Sequence, residues 1–97
     1  MKIIALEHEL PGANADHFRA LAKDEARKAW ELHQAGLIRE LYFRTDRHEA
    51  VLVLECASAD EAQAVLAQLP FVQAGLIEFE LIPLAAYPGF TRLFGEL

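Results

Sequence analysis

The sequence predicts a ferredoxin-like α+β fold, a four-stranded antiparallel sheet with two helices on one face. Three observations carry that expectation. Four short segments are rich in apolar and β-branched residues, two segments with helical periodicity follow the first and third of them, and the connections are short enough to favour right-handed crossovers. The order is βαββαβ in one domain, residues 1–97, with 84–97 forming a tail beyond the last strand.

Lys2 to Glu9 is the first strand, stopped by the turn signal Leu10-Pro11-Gly12. A helix follows, with Asn14 or Asp16 able to cap its exposed amides and Gly36 ending it where a left-handed residue is needed. Ile38 to Arg44 and Ala50 to Cys56 flank the polar stretch TDRHE, as in an antiparallel hairpin. Ser58 with Glu61 three residues on is a capping-box pattern, opening a second helix through Ala62, Val65, Leu66 and Leu69 that Pro70 closes. Leu76 to Ile82 alternates apolar and acidic residues with period two and is the fourth strand.

Strict alternation puts Ile38 and Tyr42 on one side of the second strand and Leu41 and Phe43 on the other. Val51 and Val53 oppose Leu52 and Leu54 in the third. Both sheet faces are then too apolar for water, so a second copy is expected to cover the face that the helices leave bare, giving a dimeric α+β barrel. A pocket is expected between the sheet and helix layers or at the seam. In the tail, Tyr87, Phe90, Leu93, Phe94 and Leu97 recur at intervals of three or four, and the segment is expected to pack on a neighbouring subunit.

Charge and cysteine content narrow the function classes. A formal charge of −6 argues against a surface that tracks nucleic-acid phosphates. No apolar run approaches the ~18 residues of a membrane span, and Glu7 interrupts the N-terminal apolar stretch too early for a signal peptide. The single Cys56 rules out an internal disulfide and suits a reducing compartment. A cytoplasmic domain with no nucleic-acid or membrane partner is the expectation.

One residue of the first helix is out of place. Phe18, Leu21, Ala22, Ala29, Leu32 and Gly36 gather on one side, and Glu25 falls near the middle of that side. Burial disfavours the charged carboxylate and raises its pKa, the condition for a general acid or base near neutrality. The alternative is a glutamate at the solvent edge, or one paired with Lys28 or Arg39. Arg39, Arg44, Arg47 and His48 form a second group, four potential cations within ten residues, suited to holding a substrate carboxylate. Arg39 and Arg44 have opposite strand parity, so at most part of the group lines one pocket, and a solvated hairpin tip is the competing reading. His8, His17, His33 and His48 show no metal-ligand spacing. Cys56 reads as core packing, and Trp30 as an interface anchor or a partly covered surface aromatic.

The run from Leu21 to Gly36, LIRELYFR, the strand ending ECASADEA, VLAQLPF, IEFEL and PLAAYP together resemble the muconolactone Δ-isomerase family. The family's acidic helix pair, its strand-two arginine and leucine, its Leu-Pro pair and its closing Pro-Leu correspond to Asp24-Glu25, Arg39 and Leu41, Leu69-Pro70 and Pro83-Leu84. Tyr87-Pro88 stands at the family's His-Pro, and His48 and Ala50 at its Tyr and Asn positions. The resemblance implies a proton shift within a small lactone acid, without a cofactor, in the breakdown of aromatic compounds, by subunits paired into barrels. It makes Glu25 the base, with Arg39, His48 and Tyr42 as candidate substrate contacts. A cofactorless oxygenase on the same barrel, or a binding or assembly module without chemistry, are the competing functions.

Overall fold

A computed structural model describes residues 1–95 of the chain. Leu97, the last residue of the tail pattern, lies outside them. The strands are β1 (Lys2–Glu9), β2 (Ile38–Phe43), β3 (Ala50–Glu55) and β4 (Ile77–Pro83), and the helices are α1 (Ala15–Gln34), α2 (Ala59–Leu66) and the single turn α3 (Pro70–Gln73). The sheet order is β2-β3-β1-β4 with every pair antiparallel, which is the ferredoxin-like arrangement.

Local chemistry sets the element boundaries. Of the two possible caps, Asn14 is used: its side-chain oxygen accepts from the His17 amide at 3.0 Å, while Asp16 lies within the first turn. At the other end Gly36 takes a φ of +81°, which lets its own amide reach the His33 carbonyl and the Leu37 amide reach that of Leu32, both at 3.0 Å. The same closure recurs at Gly75, after α3. Ser58 caps α2 by accepting from the Glu61 amide, and Glu61 reaches back to the Ala57 amide, one residue beyond the cap.

Two expectations are corrected. Pro70 does not close the second helix. α2 already ends at Leu66, and Pro70 instead opens α3 from its first position, where a missing N–H costs nothing. The second correction concerns β2, which does not alternate strictly. A register shift between Ile38 and Glu40 makes Arg39 an extra residue, so Ile38 pairs with Leu54, Leu41 with Leu52 and Phe43 with Ala50. Ile38, Leu41 and Phe43 therefore share the helix-facing side, and Tyr42 goes to the other.

The core lies between that inner face and the helices. Ile3, Ala5, Ile38, Leu52 and Leu54 from the sheet meet Leu32 from α1 and Ala62, Val65 and Leu66 from α2. Cys56 is buried beside them, and burial pushes its thiol pKa up, as suits a packing role. The outer face carries Ile4, Leu6, Val51 and Val53, all half-buried, with Tyr42 and Ile82 exposed and Glu40, Glu78 and Glu80 towards the sheet's edges. After β4 the chain makes a 3₁₀ helix, Gly89–Phe94. Tyr87, Phe90, Leu93 and Phe94 stand 67 to 80% exposed there.

Candidate active site

A cleft of about 1160 Å³ opens between α1 and one end of the sheet. Its origin is legible in side-chain size. Along the helix wall Ala22, Ala26 and Ala29 recur at the spacing of one face, and alanine cannot fill the gap to the strands. Phe18 and Phe71 close one end, packed edge to face with ring centres 5.0 Å apart. The sheet contributes Leu41, Phe43, Leu52 and Phe79, the first two because of the extra residue in β2.

Glu25 projects from α1 into this cleft, half-buried. Oε1 accepts a hydrogen bond of 2.9 Å from the amide of Phe71, at the start of α3. Leu69, the capping position of that turn, offers no side-chain bond, so Glu25 satisfies an otherwise orphaned amide. Neither cation considered as a partner is available: Lys28 pairs with Glu31 at 2.9 Å, and Arg39 donates through Nε to the Gly36 carbonyl at 2.8 Å. Burial raises the Glu25 pKa, opposed in part by the Phe71 amide.

A second carboxyl shares the cleft and escaped the sequence reading. Glu7 follows Ile3 and Ala5 on the inner face of β1, opposite Phe79 of β4. Its pKa is raised to about 7, first by burial and then by the charges of Glu49, Glu25 and Glu9, with the Ala50 amide opposing the shift. The signal was present in the sequence. Alternation along Ile3, Ala5 and Glu7 puts a carboxylate on a buried strand face, just as periodicity does for Glu25 on the helix.

The candidate substrate contacts separate. His48 lines the cleft and stacks on Phe43, with ring centres 4.3 Å apart and planes 16° from parallel. Tyr42 lies on the outer face, its hydroxyl donating to Glu40 at 2.7 Å. Arg39 is exposed and absent from the cleft lining. The expected cation group does not converge either. Arg44 is held by both oxygens of Asp46, at 2.8 and 2.7 Å, and Arg47, although it lines the cleft, has Nε 2.8 Å from Glu49. Trp30 and His33 border the cleft from α1; His33 donates through Nδ1 to the Ile38 carbonyl at 2.8 Å, which leaves Nε2 as its free nitrogen. A smaller hollow of about 450 Å³ lies beside Asp24, Arg27, Lys28 and Glu31, whose charges are already paired with one another.

The model of the muconolactone delta-isomerase family matches residues 4–89. The chain belongs to that family. Among solved structures it is similar to a muconolactone isomerase, with a TM-score of 0.74 and 22% identity over 92% of this chain and 93% of the other. It is also similar to the 5-chloro-2-hydroxyhydroquinone dehydrochlorinase TftG of Burkholderia phenoliruptrix AC1100, solved with 2,5-dihydroxybenzoquinone. That likeness has a TM-score of 0.59 and 19% identity over 88% and 94% of the two chains. No curated protein sequence matches the chain significantly. Membership of the muconolactone delta-isomerase family accounts for the ferredoxin-like sheet, and the two structures share that fold at low identity. Among the described residues no helix is long and apolar enough to cross a membrane. No group of three or more His, Cys, Asp or Glu among them is placed to hold a metal ion.

Proposed function

We propose that this protein is a cofactor-independent isomerase that shifts a proton within a small lactone acid or related unsaturated acid, with Glu25 as the base. The observation that carries the reading is a half-buried carboxylate without a cationic partner, aimed into an alanine-walled cleft. Desolvation increases its proton affinity, and the Phe71 amide fixes its position without neutralising it. His48, at the hairpin end of the cleft, orients the anionic group of the substrate, while Arg47 beside it is already paired with Glu49. Arg39 and Tyr42 have no part in this reading, because one is folded back on Gly36 and the other lies on the far side of the sheet.

The outer face supports the expected second copy. Val51, Val53, Ile4 and Leu6 form its middle, and sheet-to-sheet pairing would bury them together with Tyr42. The exposed aromatic tail beyond β4 is assigned to the same assembly, packed on a neighbouring subunit. Family membership over residues 4–89 supports the first assignment, and the exposure of Phe90, Leu93 and Phe94 supports the second.

The test is an isomerisation assay with muconolactone, comparing wild type with Glu25→Gln. The variant should lose ~10² to 10⁴ in rate, the usual contribution of a general base, while keeping its fold. Equal rates in the two proteins would remove Glu25 from the chemistry. The four phenylalanines around the cleft favour one second reading, elimination from a planar chlorinated hydroquinone of the kind on which the TftG relative acts. Chloride release from such a substrate, with no lactone turnover, would select it. Oxygen uptake with a quinol would instead mark a cofactorless oxygenase.

A further inference from the structure

We propose that Glu7 is a second proton-transfer group of this cleft, the acid that returns a proton to the substrate after Glu25 has removed one. The proposal rests on the reading of Glu25 as base and adds the other half of the shift. The geometry is two carboxyls on opposite walls of one cavity, Glu25 from α1 and Glu7 from the strand beneath it. A 1,3-shift takes a proton from one carbon and delivers it to another, and a planar ring held between helix and sheet presents its two faces to different walls. Two groups then divide the work.

The protonation states suit the division. Burial, and after it the charges of Glu49, Glu25 and Glu9, raise the Glu7 pKa to about 7, with the Ala50 amide opposing. Near neutrality Glu7 can therefore still hold a proton. The neutral carboxyl also spares an anionic substrate one repulsion in a cleft that already contains Glu9 and Glu49. In the first step the Glu25 carboxylate takes a proton from carbon, and the C–H electron pair moves into the conjugated system, leaving the charge on the carbonyl oxygen as a dienolate. In the second, the electrons return through the carbonyl to form a bond between the other carbon and the Glu7 proton. Glu25 ends protonated and Glu7 ionised. Proton exchange through water in the open cleft resets them, so no oxidant, reductant or co-reactant is consumed.

The experiment follows muconolactone in D₂O by proton NMR, for wild type, Glu7→Gln, Glu7→Asp and Glu25→Gln. Glu7→Gln should lower kcat by ~10² or more with little change in KM, while still exchanging the substrate proton that Glu25 removes; Glu25→Gln should lose both. Glu7→Asp should recover part of the rate. The titratable and charged groups that line the cleft with Glu7 are Glu25, Arg19 and His33 from α1, Glu9 from β1, and Arg47, His48 and Glu49 from the hairpin end, with Phe79 paired to it on β4. An alkaline fall in kcat/KM is therefore assigned to Glu7 only if it disappears in Glu7→Gln and survives in His33→Gln and His48→Gln.

A Glu7→Gln rate within threefold of wild type, with an unchanged pH profile, would overturn the proposal and leave the isomerase reading standing. Neither exchange nor turnover in wild type would remove both. Carboxyl-carbon NMR gives a readout independent of substrate. Glu7 should titrate near neutrality and move to lower pH in Glu25→Gln, and a Glu7 that titrates at the ordinary glutamate value in both proteins would overturn the proposal.

Discussion

Replacing Glu7 by glutamine should make the protein more stable at pH 8 and leave it almost unchanged at pH 4.5. Unfolded, Glu7 ionises near 4.5; folded, it ionises near 7. Between those values the native state binds a proton that the unfolded state does not, so stability falls as pH rises through this window and is flat above it. At ~1.4 kcal/mol per pKa unit the full shift corresponds to about 3.5 kcal/mol. Glu7 is only half-buried, and water screens much of that difference, so about 1 to 2 kcal/mol is the realistic gain on substitution. Because a chain of this size moves ~4 to 8 °C in Tm per kcal/mol, the variant should melt about 4 to 16 °C higher at pH 8. Urea unfolding of both proteins at pH 4.5, 6, 7 and 8, at one fixed protein concentration, separates this from assembly effects. The Glu25 shift has the same sign but is present in both proteins. A stability difference independent of pH, or a wild type more stable than the variant at pH 8, would show that burial does not govern the Glu7 carboxyl.

Three further outcomes follow from the packing. Glu25→Ala, unlike Glu25→Gln, removes the acceptor for the Phe71 amide and should cost ~0.5 to 2 kcal/mol in urea unfolding, the range of a lost helix cap. Val51→Asp puts a charge in the middle of the outer face and should reduce the mass seen by light scattering at micromolar concentration, whereas Lys23→Asp, on exposed α1 surface, should not. Truncation after Pro88 should lower the assembly mass or the Tm, since burying even two of the removed side chains contributes ~3 to 6 kcal/mol before ordering costs.

The fold was readable because its signals are local. Asn14, Gly36 and Ser58 each meet a hydrogen-bonding need that can be predicted from a few neighbouring residues, and each is used as that need requires. Glu25 was readable for a related reason, since helical periodicity alone puts it on the inward side. Non-local effects were less visible. Arg39, the extra residue in β2, does not stand out in the string IRELYF, yet it reverses the parity of everything after it. That reversal moves Tyr42 away from the cleft and brings Leu41 and Phe43 to its wall. The arginines misled because their acidic partners, Asp46 and Glu49, also lie within the hairpin.

The cleft itself depends on the same irregularity. Were β2 regular, Ile38 would share the inner face with Glu40 and Tyr42, so two polar groups would lie under the alanine face of α1 and the wall of Phe43 and His48 would be lost. With the bulge, the inner face is apolar from Ile38 to Phe43, and Glu7 and Glu25 are the carboxyls whose pKa values are raised within it. Apolar surroundings raise the proton affinity of a carboxylate only when no cation is close enough to offset them. Arg44 and Arg47 are occupied by Asp46 and Glu49, and Arg39 is held at the helix terminus. The acids of the hairpin thus have a chemical consequence in the cleft, because by pairing with Arg44 and Arg47 they leave burial free to raise the pKa values of Glu7 and Glu25.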